Sequence, residues 1–347
     1  VARLLQQLNQ RDNSILKFET LSMIDLNGKK ILVTGGTGSF GKHFVRRVLS
    51  KYRPEKLIVF SRDEFKQYEM QRTMDDPRLR FFIGDVRDKD RLYRAFEGVD
   101  YLIHAAALKQ VPSAEYNPFE AIKTNIIGAQ NIIDVAIDIG IKRIVALSTD
   151  KACNPVNLYG ATKLCSDKLF IAGNSYAGRK ITRFSVVRYG NVVGSRGSVV
   201  PHFQQIQAGD SVPVTDERMT RFWITLDQGV DFVLKALDRM QGGEIFVPKI
   251  PTATIIDIAK AIAPKCKIKI VGIRPGEKLH ELLISAEDGR RTLEYPEHFV
   301  IQPDFPWWSD EKRKNGGEPV REGFVYSSDQ NPWRLTPAEI EKMVRGL

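Results

Sequence analysis

The chain has 347 residues, 42% of them hydrophobic and 27% charged, and 52 Lys and Arg against 42 Asp and Glu give a formal charge of +10. That length allows one large domain or two sharing an interface. Apolar runs such as Leu57 to Phe60 are far too short to span a membrane. No long Lys/Arg run is present, so the basic balance points away from nucleic acid and towards anionic small molecules.

The opening Val1 to Leu8 lacks the apolar region of a signal peptide. Cys153, Cys165 and Cys266 have no metal-ligand spacing and cannot all pair. They predict reduced thiols and a cytoplasmic protein without a bound metal. Residues 1–28 form an N-terminal extension, in which Leu4, Leu5 and Leu8 fit one helical face.

From about residue 29, apolar runs alternate with helical patterns. Lys30 to Thr34 reads as a short buried strand, followed by a Gly loop and a helix carrying Phe44, Val45 and Val48. Lys56–Phe60, Arg80–Ile83, Tyr101–His104, Arg143–Leu147 and Ile181–Arg188 read as further strands. A long helix is expected near Ala121 to Ile139. Such alternation predicts an α/β fold, a doubly wound parallel Rossmann sheet with its strand C-termini along one ligand-binding edge. Residues 29–191 form the dinucleotide-binding domain. After Asn191 the rhythm becomes irregular, which suggests a smaller substrate lobe over 192–300 that interleaves with the main sheet. Residues 301–347 form a C-terminal extension, loop-dominated until Thr336-Pro337-Ala338-Glu339 announces a capped final helix.

Gly35, Thr37, Gly38, Ser39, Phe40 and Gly41 lie between that first strand and its helix. A pyrophosphate must approach this backbone closely, and the helix N-terminus supplies N–H donors and positive potential. The second strand ends at Ser61 with Arg62 next, where NAD-preferring folds place a carboxylate. A cation there suits a 2′-phosphate and favours NADP, with Lys66 assisting. Asp63 keeps NAD open, because a small shift in register restores an acid. Asp85 and Val86 fit an adenine contact, and Ala105 allows close approach to the cofactor. His104 has no partner with metal-ligand spacing and is expected to pack locally.

Tyr159 and Lys163 stand at i and i+4 and share a helix face. A phenol is a poor base at its free pKa of ~10, and a nearby ammonium favours phenolate. Eight residues before the tyrosine, Lys151 follows Thr149 and Asp150. This additional acid and base exceeds what simple dehydrogenation needs. It suggests redox chemistry coupled to proton removal and elimination.

The organisation from about residue 29 to 300 resembles the extended short-chain dehydrogenase/reductase superfamily. Leu147–Ala152, Asn157–Lys163, Arg188–Ser198, Met219–Trp223 and Arg274–Lys278 are similar, more closely, to the inverting UDP-N-acetylglucosamine 4,6-dehydratases of pseudaminic acid synthesis. The resemblance implies that Tyr159 takes the carbon 4 hydroxyl proton while hydride passes to NADP. It makes Lys151 the base at carbon 5, with a lowered pKa. Asp150 is the acid at the carbon 6 hydroxyl, and Thr149 holds the carbon 4 oxygen. Lys109 and Thr124 are expected at the cofactor or sugar, and Asn191 and Val192 at the diphosphate or ribose. Arg221 and Arg274 suit phosphate, and Glu277 suits ribose hydroxyls. The resemblance also implies a dimer pairing through the helices of Ala121–Ile139 and Tyr159–Phe170, with a hexamer as a higher assembly.

Two other readings compete. A nucleotide-sugar epimerase also uses Tyr and Lys, but usually lacks an ionisable pair at the places of Asp150 and Lys151. A non-catalytic NADP-sensing regulator typically loses the Tyr/Lys pair, which is intact here.

Overall fold

The computed structural model describes residues 24–195, 199–207, 209–305, 308 and 316–345. The apolar face at Leu4, Leu5 and Leu8 and the motif residues Arg196–Ser198 lie outside them.

Five strand–helix units open the described chain: β1 (Lys30–Thr34), α1 (Ser39–Lys51), β2 (Lys56–Ser61), α2 (Glu64–Thr73), β3 (Leu79–Ile83), α3 (Lys89–Phe96), β4 (Tyr101–His104), α4 (Val111–Tyr116), α5 (Pro118–Ile122), α6 (Gly128–Ile139), β5 (Arg143–Thr149) and α7 (Leu158–Ala177). β6 (Arg183–Tyr189) follows. β1 and β2 are short apolar runs buried on both faces, as a sheet covered by helices requires, whereas the edge strand β3 is partly exposed. α1 turns Phe44, Val45 and Val48 into the core.

The strands pair in parallel in the order β3-β2-β1-β4-β5-β6. That order reverses direction between β1 and β4. The C-terminal crevice at this switch point is where doubly wound sheets bind ligands.

The chain continues through β7 (Asn191–Val192), α8 (Val199–Gln204), β8 (Ser211–Val214), β9 (Thr220–Ile224), α9 (Leu226–Arg239), β10 (Ile245–Pro248), β11 (Thr252–Thr254), α10 (Ile255–Ile262), β12 (Lys267–Ile270), β13 (Leu282–Ile284), α11 (Ala286–Gly289), β14 (Thr292–Glu294) and β15 (His298–Ile301). β10 joins the main sheet parallel to β6, and β15 and β14 then extend it antiparallel. The other strands form small sheets, β7-β9-β11 and β8-β12, around a second core that includes Trp223, Val212 and Ile258. Short β16 (Glu318–Pro319) and β17 (Tyr326–Ser327) pair with β14 and β13. α12 (Pro337–Arg345) opens with reciprocal bonds between Thr336 and Glu339.

The expected long helix near 121–139 is instead interrupted. α5 ends at Ile122, and Lys123–Ile127 form a π turn before α6 begins. The wider turn carries buried Thr124 and Asn125. Asn125 holds the Leu108 backbone at 2.9 and 3.0 Å and donates to the Thr162 hydroxyl at 3.0 Å. Helical periodicity cannot reveal one inserted residue per turn, a feature frequent at functional sites.

Candidate active site

A cavity of about 1050 Å³ lies over the switch point. The cofactor residues expected from sequence line its first half. The β1 strand turns at Gly35, whose φ of 65° is left-handed. A Cβ there would stand 2.9 Å from the Ala105 carbonyl carbon, so glycine lets the β1 and β4 loops meet. At Gly41 a Cβ would lie 2.4 Å from the Gly36 oxygen, which seats α1 against the turn. Gly38 is the N-cap of α1 and supplies no side-chain bond, leaving the helix N-terminus to its ligand. Thr37, Ser39 and Phe40 line the same wall.

Ser61, Arg62, Asp63, Lys66, Asp85 and Val86 form the far end. Asp63 is the N-cap of α2: it accepts the Lys66 amide at 3.0 Å and pairs with the Lys66 ammonium. Its carboxylate is therefore committed to the helix. Arg62 reaches Asp85 at 3.4 Å with half its side chain exposed. Ala105, Lys109, Thr124 and Val192 complete this half. The Thr124 hydroxyl is buried without a partner. A helix N-terminus without a side-chain cap, two cations paired with carboxylates and an orphaned hydroxyl fit a dinucleotide. His104 bonds Thr34 at 2.8 Å under complete burial, which drives its pKa down to about 3.

Thr149, Lys151, Tyr159 and Lys163 converge at the centre. α7 is capped by Asn157, which accepts the Gly160 amide at 2.8 Å and donates to the Gly276 carbonyl at 2.8 Å. One side chain thus starts the catalytic helix and fastens the 274–278 loop over it. Gly160 permits close packing, since a Cβ there would lie 2.2 Å from the Lys151 oxygen. Burial raises the Tyr159 phenol to about 12, with Asp150 adding to the shift and Lys151 and a Thr149 hydrogen bond opposing it. Lys151 is a cation whose charge opposes that rise. Burial lowers the Lys163 pKa, partly offset by Asp167.

The Asp150–Lys151 pair differs from expectation in two ways. Asp150 does not line the cavity; it is fully buried, and it hydrogen-bonds Thr149 at 2.9 Å and Lys151 at 3.0 Å, which do. The Lys151 pKa is raised rather than lowered. Burial works against its charge, but Asp150 and Glu281, the latter at 3.2 Å, outweigh that cost. Two carboxylates on one ammonium leave the resting side chain cationic.

Glu281 itself was not singled out from the sequence. It lies three residues beyond the Arg274–Lys278 motif, and nothing local marks it. Arg221 approaches it at 3.8 Å. Asp167 was also missed: it sits one turn beyond Lys163, fully buried, accepting from Ser148 at 2.7 Å and pairing with buried Arg188 at 3.4 Å. The substrate candidates Lys109, Asn191, Arg221, Arg274 and Glu277 line the outer cavity. Arg274 is exposed at its rim. Arg221 is largely buried and spends donors on the carbonyls of Thr220, Lys278 and Leu279, so it pins the loop as well as facing the cavity.

Comparison with known proteins agrees with this geometry. Residues 31–303 match the polysaccharide biosynthesis protein family. The chain is 55% identical, over 92% of its length and 98% of the relative, to a UDP-N-acetylglucosamine 4,6-dehydratase (inverting) of Campylobacter jejuni. It is 44% identical, over 92% of its length and 96% of the relative, to a UDP-glucose 4-epimerase of Rickettsia akari. Among solved structures, Pen from Bacillus thuringiensis superposes with a TM-score of 0.85 at 35% identity, covering 93% of this chain and 100% of that one. A dTDP-glucose 4,6-dehydratase from Streptomyces venezuelae with NAD bound gives a TM-score of 0.65 at 26% identity, covering 72% of this chain and 86% of that one. The chain is therefore a member of the polysaccharide biosynthesis protein family, an enzyme on the short-chain dehydrogenase/reductase fold.

Proposed function

We propose that this enzyme carries out the inverting 4,6-dehydration of UDP-N-acetylglucosamine. The product is UDP-2-acetamido-2,6-dideoxy-β-L-arabino-hexos-4-ulose, the first intermediate towards pseudaminic acid. The observation that carries this reading is the ionisable Asp150–Lys151 pair beside Tyr159, together with the 55% identity to an enzyme of that name. An epimerase moves a hydride at one carbon and has no need of this second centre. A sensing protein has no need of either.

A nicotinamide held there would supply a hydride acceptor for carbon 4 and a donor for carbon 6. Tyr159 takes the proton of the carbon 4 hydroxyl once its own phenol proton has left, and Lys163 would hold the nicotinamide ribose. Thr149 bonds the carbon 4 oxygen. The ketone formed acidifies the carbon 5 proton, which Lys151 removes once its own proton has passed to a carboxylate it touches. Asp150, which does not line the cavity, supplies through Thr149 or Lys151, the groups it bonds there, the proton on which the carbon 6 hydroxyl leaves as water. Residues 29–191 hold the cofactor. Residues 192–300 hold the sugar nucleotide, with Asn191, Arg274 and Glu277 at the diphosphate and ribose.

The cofactor in this reading is NADP, because Asp63 is occupied as a helix cap while Arg62 and Lys66 face the cavity. NMR of the enzyme with UDP-N-acetylglucosamine in deuterated water tests both points. Water loss, inversion and deuterium at carbon 5 are expected. Isomerisation at unchanged mass would make it an epimerase. The denatured protein should release NADP, and release of NAD alone would overturn that choice.

The reaction is placed in the cytoplasm, in line with three unpaired cysteines. No described helix is long and apolar enough to cross a membrane. Exposed Tyr116, Phe119 and Ile127 beside α7 support a homodimer through this face. Light scattering should give at least twice the chain mass at micromolar concentration, and a monomer would refute it.

A further inference from the structure

Glu281 comes from the segment just before β13, far from the active-site helix in sequence, yet it shares the Lys151 ammonium with Asp150. The distances are 3.2 Å to Glu281 and 3.0 Å to Asp150. Both carboxylates are buried. Each has one oxygen bonded to the ammonium and one, Asp150 Oδ2 and Glu281 Oε2, buried without a partner. One lysine cannot neutralise two buried carboxylates. A buried carboxylate oxygen with no donor is costly as an anion and inexpensive as a protonated group.

Their surroundings break the symmetry. Glu281 faces three cations: Lys151, Arg221 from β9 at 3.8 Å, and Lys278 from its own loop. Asp150 faces Lys151 and the Thr149 hydroxyl, with the neutral phenol of Tyr159, the Cys153 thiol and, more weakly than at Glu281, Lys278 nearby. Lys109 lies across the cavity from Lys151, and Asn191 accepts from it at 3.5 Å.

We propose that Glu281 is a positioning residue of the elimination step: its fixed negative charge keeps the proton on Asp150 and grips the Lys151 ammonium from the cavity side. The inference rests on the dehydratase reading above. Burial and the Glu281 charge both raise the Asp150 pKa, against Lys151 and Thr149. For Glu281, burial is outweighed by Lys151, Arg221 and Lys278, and its pKa falls. Two coupled carboxyl groups whose surroundings push them apart divide into an acid and an anion. Asp150 then holds the proton that reaches the carbon 6 oxygen, by way of the groups it bonds at the cavity wall, as the bond to carbon breaks.

Infrared difference spectra of the nucleotide-loaded enzyme, titrated across neutral pH, test this directly. A protonated-carboxyl band is expected at neutral pH in the wild type and should vanish in Asp150→Asn. In Glu281→Gln its midpoint should move to lower pH by at least about one unit. Turnover at neutral pH should fall with the protonated fraction, by up to about tenfold for each unit of that shift. Glu281→Asp keeps the charge and should keep the band, which separates loss of charge from loss of fold. An unmoved midpoint in Glu281→Gln, or no protonated carboxyl in the wild type, would overturn the proposal. Because the band is read without turnover, its result stands apart from the water-loss assay on wild-type enzyme, whose failure would overturn the dehydratase reading instead.

Discussion

Replacing Lys151 with methionine should abolish dehydration while leaving the redox half of the site in place. Methionine matches the length of the lysine stem but has no basic nitrogen. Dehydration is expected to fall by at least the ~100-fold typical of losing a general base. The change also strands Asp150 and Glu281, whose shared cation disappears, so both take up protons more readily. The residues that line the dinucleotide half are untouched, and nucleotide should stay bound through purification. Reduction of the nicotinamide by substrate should then become visible in its absorbance band, because the ketone forms but cannot eliminate. Tyr159→Phe should give the opposite pattern: nucleotide bound, no reduction and no exchange at carbon 5. The two variants differ in kind. Near wild-type turnover and carbon 5 deuterium exchange in Lys151→Met would remove Lys151 from the role of base.

Adding one methyl group at Gly160 should disable the enzyme by moving both centres apart. The Cβ of Gly160→Ala would stand 2.2 Å from the Lys151 carbonyl oxygen and 3.1 Å from the Pro155 side chain. The nearer obstacle is backbone and cannot rotate away. Either the N-terminus of α7, with Tyr159, or the turn carrying Asp150 and Lys151 must move. Overpacking of this kind costs about 1–3 kcal/mol, and a displacement near 1 Å at a reacting group costs about 100-fold in rate. The expected result is a lower Tm in thermal unfolding and about 100-fold slower water loss. A variant with wild-type Tm and turnover would show that this contact does not position the site.

Much of the nucleotide-binding half was legible from local pattern. β1 and β4 lie where their apolar runs placed them, because a short β-branched run between turn residues has little else to become. β2, β3 and β5 differ by one or two residues at an end, and β6 begins at Arg183 rather than Ile181. The i, i+4 spacing of Tyr159 and Lys163 needed only a helix to bring both to one face. The π turn at Lys123–Ile127 left no trace in the pattern, since it arises from tertiary bonds between Asn125, Leu108 and Thr162.

Charge state was the part that sequence could not supply. The sequence resemblance predicts a lowered pKa for Lys151 and leaves the charge state of Asp150 open. The fold buries Asp150 and brings Glu281 to the same ammonium across 130 positions of chain. It likewise sets Asp167 and Arg188 behind Lys163. Residue identity and spacing determined the strands β1 to β6, the dinucleotide loop and the helix face of the tyrosine, all of which depend on neighbours a few residues apart. Which groups carry protons was decided by tertiary structure, because a pKa depends on desolvation and on charges a few ångströms away, and those neighbours are brought together only when the chain folds.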